Sequence, residues 1–162
     1  MSPEWLATLI VRELDAFERE LALFPDEASV WRVPPGVANS AGTLALHVCG
    51  SLLHFVGAVL GASGYVRDRA REFSARDIPR ASLVADIEAA REVVVRIVPA
   101  LTEDDLTQPF PEEVAGMRIV TALFLMHLSV HLAFHLGQAG YVRRIVTQDE
   151  RSSSPLPLKP LA

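Results

Sequence analysis

Three of the five histidines in this chain fall in His127-Leu-Ser-Val-His131-Leu-Ala-Phe-His135, inside a strongly apolar segment. On an α-helix each four-residue step advances by roughly 40°, so all three rings leave one stripe of the helix, a turn apart. Two imidazoles one turn apart can grip one metal ion. No Glu follows His131, which excludes a helical HExxH protease motif. The plain alternative is a set of core histidines, each satisfied by its own hydrogen bond.

The other two histidines, His47 and His54, stand seven residues apart in Ala41–Leu60, a segment without Asp, Glu, Lys or Arg. They differ by roughly 20° around a helix and so share a face. One of them can meet the His131/His135 pair if the two segments are neighbours. Three neutral imidazoles with an open position suit a catalytic divalent metal. Spacing alone does not choose between His47 and His54, or between His127 and His135. Gln138 lies roughly 20° from His131 and suits a role behind the ligands or against a substrate.

The elements that must position these residues read as helices. Ser2, Pro3 and Glu4 begin a first helix, with Leu6, Ile10, Leu14, Phe17 and Leu21 as its apolar stripe. Its charged residues, Glu13 and Glu20 among them, are expected on the solvent face. Pro25 to Ser40 reads as a loop. Ser40 caps a second helix, about Ala41 to Leu60, that must be central, and Cys49 points away from His47 as a packing residue. Tyr65 to Pro79 is a charged connection whose arginines, Arg67 first, either line a pocket for an anion or form a solvated, locally paired loop. Ser82 opens a third helix to about Pro99. The histidine helix runs from near Arg118 to about Thr147, where Arg143 and Arg144 suit its C-terminal dipole. Residues 151–162, rich in proline and serine, read as a flexible tail behind a single domain of residues 1–150.

The totals fit this outline. A chain of 162 residues with half its residues apolar supports one buried core. A net charge of −5 with interspersed signs argues against nucleic acid. The single cysteine excludes an intramolecular disulfide, and no leader is apparent because Glu4 and Arg12 interrupt the first apolar residues, so the cytoplasm is expected. The run Ile119–Leu136 lacks charged residues but holds three histidines, Ser129 and Thr121, and is expected as a buried bundle helix with no membrane span. The fold class is therefore all-α, four long helices with long crossover connections.

The segment Gly42-Thr-Leu-Ala-Leu-His47-Val, followed much later by His131-x-x-x-His135-x-Gly137-Gln138, resembles the DinB-like (YfiT-type) metal-binding superfamily. Tyr65-Val-Arg67-Asp68-Arg69 with Glu72-Phe73, and Asp77-Ile-Pro79-Arg80-Ala-Ser-Leu, are similar to that family as well. The resemblance covers roughly residues 5 to 147. It implies a four-helix bundle, homodimers, and a core site in which His47, His131 and His135 hold zinc or nickel. On that ground His127 becomes a core or site-wall residue, and His54 an inward-facing pocket or packing residue. For some members it implies transferase chemistry that uses a low-molecular-weight thiol such as bacillithiol, mycothiol or glutathione.

The leading expectation is thus a metal-dependent thiol transferase acting on small electrophiles. Metal-dependent hydrolysis is the nearest alternative, but neither histidine helix offers a carboxylate base at that depth; Glu112, Glu113 or Asp68 serves only if a loop folds over. A non-catalytic, stress-related metal-binding dimer is a third reading.

Overall fold

Seven α-helices carry the chain in the computed structural model, which describes residues 2–153 and 158–159. They are α1 (Pro3–Ala22), α2 (Glu27–Trp31), α3 (Ala41–Leu52), α4 (Arg69–Ser74), α5 (Arg80–Ile97), α6 (Glu103–Thr107) and α7 (Thr121–Thr147). α3 continues as a π-helix over Leu53–Leu60, and α5 ends in a 3₁₀ turn, Val98–Ala100. Among the described residues there is no strand. Two isolated bridges, Pro109 with Val120 and Val114 with Met117, pinch residues 109–120 into a hairpin-like loop. The fold is all-helical, as the spacing predicts.

The long helices pair in a closed order: α1 packs on α7, α7 on α3, α3 on α5 and α5 on α1. Leu6, Ile10, Leu14, Phe17 and Leu21 of α1 are buried, as their spacing demands. They meet Leu83, Ile87 and Val94 of α5, and Phe124, Leu125 and Leu132 of α7, in one core. All twelve residues of α3 are buried, which follows from its lack of charge. Ser40 caps α3, its hydroxyl accepting from the Thr43 amide at 3.1 Å. Cys49 packs in the core, and burial pushes its thiol well above the ordinary range, so it is no nucleophile.

Several elements depart from the periodicity. The loop between Pro25 and Ser40 contains α2, capped by Asp26, whose carboxylate accepts from the Ser29 amide at 2.7 Å. Trp31 at the end of α2 lies flat on Gly42, where any Cβ would come within 2.8 Å of the indole. α5 begins two residues before Ser82, because the Glu27 carboxylate accepts from the Arg80 amide at 2.6 Å and caps the helix from a distant segment. The hydroxyl of Ser2 turns to Glu4 and leaves the amides of α1 uncapped.

Glu13 and Glu20 are buried instead of solvated. Glu13 pairs with Arg12 at 2.9 Å. Glu20 accepts from Arg143, which is fully buried and so does not serve the α7 dipole at the surface; Arg144 stands in the last turn. The other donors of Arg143 reach the carbonyls of Asp149, at 3.1 Å, and Arg151. Arg19 adds a bond to the Ser153 carbonyl at 3.2 Å. The start of the tail is therefore tied down; residues 154–157 and 160–162 of the expected flexible segment lie outside the described residues.

Two stretches, Ala41–Leu60 and Thr121–Thr147, are long and apolar enough to cross a membrane by length and composition. The first has 67% of its most apolar window buried and forms the core. The second has 28% of its window buried and the rest half-buried or exposed, so the expected buried bundle helix is covered on one side only. Its outer face carries Leu123, Met126, Val130, Phe134, Tyr141 and Ile145, all exposed.

Candidate metal centre

The packing of α3 on α7 brings His47 against the His131/His135 pair. The Nε2 of His131 lies 3.2 Å from Nε2 of His47 and 3.0 Å from Nε2 of His135. One ligand atom from each of the three lies within 4.8 Å of the others. His54 is not in the cluster. Its Nε2 meets the Glu112 carboxylate at 3.1 Å, and its buried Nδ1 has no partner among the described residues. His127 stacks beside His131 at 5.9 Å between ring centres and stands at the edge of the site.

The outer nitrogens fix the tautomers. His47 Nδ1–H donates to the Glu72 carboxylate at 2.9 Å, and His135 Nδ1–H donates to Gln138 Oε1 at 2.7 Å. Each ring, when neutral, therefore turns an Nε2 lone pair towards the shared point. His131 has at most one Nε2 proton for these two neighbours, and without it three lone pairs face one another. Burial, then the neighbouring His135 and His47 rings, push His131 down to about 4. His135 is also lowered, chiefly by burial, with the Gln138 bond opposing. His131 and His135 are therefore neutral near pH 7, the ligating form. Nitrogens about 2.0–2.1 Å from one tetrahedral ion would be separated by about 3.3 Å, close to the two observed spacings. The donor set fits a divalent cation.

Glu72, which spacing alone did not single out, completes the support. Asp68 caps α4, its carboxylate accepting from the Arg71 amide at 2.8 Å, and this short helix drives Glu72 into the core. Gly50 makes room, since a Cβ there would lie 2.2 Å from Glu72 Oε1. Arg67 forks onto the same carboxylate at 2.6 and 2.9 Å and reaches Ser51 Oγ at 2.8 Å. Burial alone would raise the Glu72 carboxyl, but the bonds from His47 and Arg67 outweigh it and hold it below the usual value. Arg67 thus positions the carboxylate partner of His47 through its Nε and Nη2, and it also lines the cavity beside the site. The signal for Glu72 was the free N–H that every histidine ligand turns to an acceptor.

A family model described as a protein of unknown function, DUF1572, matches residues 4–158. The chain belongs to that family. No curated protein and no solved structure matches it.

In this DUF1572 chain a cavity of about 420 Å³ opens beside His47 and His131. Its walls include His47, His127 and His131, the apolar Phe55, Phe124 and Leu128, and Val114 of the 109–120 loop. The loop does fold over the site. Its Glu112, however, is held by His54 and does not line the cavity.

Proposed function

We propose that His47, His131 and His135 bind one divalent metal, zinc or nickel first, and that the protein is a metal-dependent enzyme of the DinB-like four-helix-bundle type. The carrying observation is the convergence of the His47, His131 and His135 rings, two of which, His47 and His135, commit their outer nitrogens to Glu72 and Gln138. A divalent ion there supplies the Lewis acidity that lowers the pKa of a thiol or water at its open position.

The favoured reaction is transfer of a low-molecular-weight thiol to a small electrophile, with the apolar wall of Phe55, Phe124 and Leu128 holding the electrophile and limiting water. Among the described residues no carboxylate lines the cavity, which weighs against hydrolysis by a Glu or Asp base. His127 on the cavity wall supports metal-dependent hydrolysis as the second reading, with its imidazole as the base. Thiol-transfer and esterase assays on protein reconstituted with zinc or nickel separate the two. Thiol-dependent turnover supports the first, and His127-dependent ester cleavage without thiol supports the second.

The partner we propose for the bare face of α7 is a second copy of the chain. Leu123, Met126, Val130, Phe134, Tyr141 and Ile145 recur every three or four residues apart from one step of seven, and Gly137 falls in that step. Together they expose on the order of 600 Å² of side chain, near the ~800 Å² per partner of a standard interface. A Cβ on Gly137 would meet nothing within 4 Å, so the face is open for close approach. Val130→Glu with Phe134→Glu should convert a dimer to a monomer in light scattering. A wild-type monomer at micromolar concentration would refute the interface.

A further inference from the structure

What a ligand of the cavity must carry follows from its walls. Two guanidinium groups and three imidazoles line it, with no carboxylate among the described residues. Arg67 is already neutralised by its fork on Glu72. Arg69 is different. Among the described residues it makes no hydrogen bond or ion pair, and its guanidinium rests over the Phe73 ring at 5.2 Å. The adjacent Asp68 spends its carboxylate on the Arg71 amide. Phe73 in turn packs on His47, ring centres 4.9 Å apart, so the Arg69 platform is built from the wall of the histidine site. A guanidinium with no ion pair among the described residues thus stands on the cavity of a chain whose net charge is −5.

We infer that Arg69 anchors an anionic group of the substrate, whose apolar body lies along Phe55, Phe124, Leu128 and Val114. The ligand class is a small organic anion, a carboxylate or phosphate ester on an apolar or aromatic body. An exposed guanidinium with a planar fork suits either oxyanion. Arg67 already spends its Nε and Nη2 donors in three bonds to Glu72 and Ser51. This inference rests on the cavity being the substrate pocket of the proposed enzyme, but it does not require the metal.

The test is binding of 3-phenylpropionate, phenyl phosphate and the neutral 3-phenylpropanol, followed by ligand-observed NMR on chelator-treated and on zinc-loaded protein. Wild type, Arg69→Met and Arg69→Lys are compared, each checked for folding by circular dichroism and for zinc uptake. At least one anion should bind about tenfold or more tighter than the alcohol, as expected for one charge-assisted contact. Arg69→Met should bring that anion to the level of the alcohol, leave the alcohol unchanged and retain zinc uptake. Arg69→Lys should fall between. The relative strength of the two anions assigns carboxylate or phosphate. Equal binding of alcohol and anions, no binding of any probe, or an Arg69→Met variant indistinguishable from wild type would overturn the inference. Anion preference in a protein that takes up no zinc would leave the Arg69 site standing and sink the metal reading alone.

Discussion

Two buried carboxylates divide this molecule between structure and chemistry. Glu20 and Glu72 are both nearly inaccessible, and both accept from an arginine drawn from a distant or neighbouring segment. The Glu20 network closes on itself: every nitrogen of Arg143 ends on Glu20 or on a carbonyl of the chain beyond α7. The Glu72 network stays open at one end. It passes through His47 to an Nε2 that faces two further imidazoles and a cavity. Buried charge is weak evidence for stability or for function by itself, and the difference lies in where the last donor or acceptor points.

Breaking the closed network should have the largest effect on folding. Arg143→Met leaves Glu20 buried without its partner and should cost about 3–5 kcal/mol in chemical denaturation. Metal uptake at folded conditions should be unchanged. Breaking the open network should do the reverse. Glu72→Gln keeps the shape but weakens the acceptor behind His47, and metal affinity should fall about 10–100-fold in a competition titration. A gentler probe is Gly50→Ala. Its methyl would stand where Glu72 Oε1 lies, 2.2 Å away, so the carboxylate must withdraw. About a tenfold loss of metal affinity is expected, with Glu72→Gln already in place removing most of the further effect of Gly50→Ala.

A further effect is on pH dependence. His131 is held down to about 4 in the folded chain, while an unfolded histidine titrates near its ordinary value of about 6.5. Between these values the unfolded chain binds more protons, so the stabilising contribution present above pH ~6.5 is lost as pH falls towards ~4. The melting temperature of metal-free protein should therefore drop across that window. His131→Phe should flatten the slope, and a wild-type curve flat from pH 7 to 4 would contradict the assignment.

Much of the architecture was legible in the residues. A segment free of Asp, Glu, Lys and Arg had to be central, and α3 is; the apolar stripe of α1 had to be buried, and it is. The four-residue step from His131 to His135 placed two rings on one face, and the packing of α3 against α7 supplied His47. What spacing could not carry was the fate of charge. Glu72 sits among four arginines and two other acids in the stretch from Tyr65 to Asp77, where a solvated loop is the ordinary outcome. Its burial depends on the gap at Gly50, a contact across 22 positions of sequence. Arg143 looked like a helix-terminal cation, yet its partner lies on α1. The histidine helix looked buried because its composition is apolar, but composition does not say which half of an apolar helix its own chain will cover.

The central claim is tested most directly by metal analysis of purified protein, reconstituted with zinc or nickel and dialysed, with His47→Ala and His131→Ala treated in parallel. The account predicts about one divalent ion per chain in the wild type, with uptake lost in both variants while their circular dichroism stays helical. A wild type that retains no zinc or nickel, or variants that retain it as well as the wild type does, would contradict it.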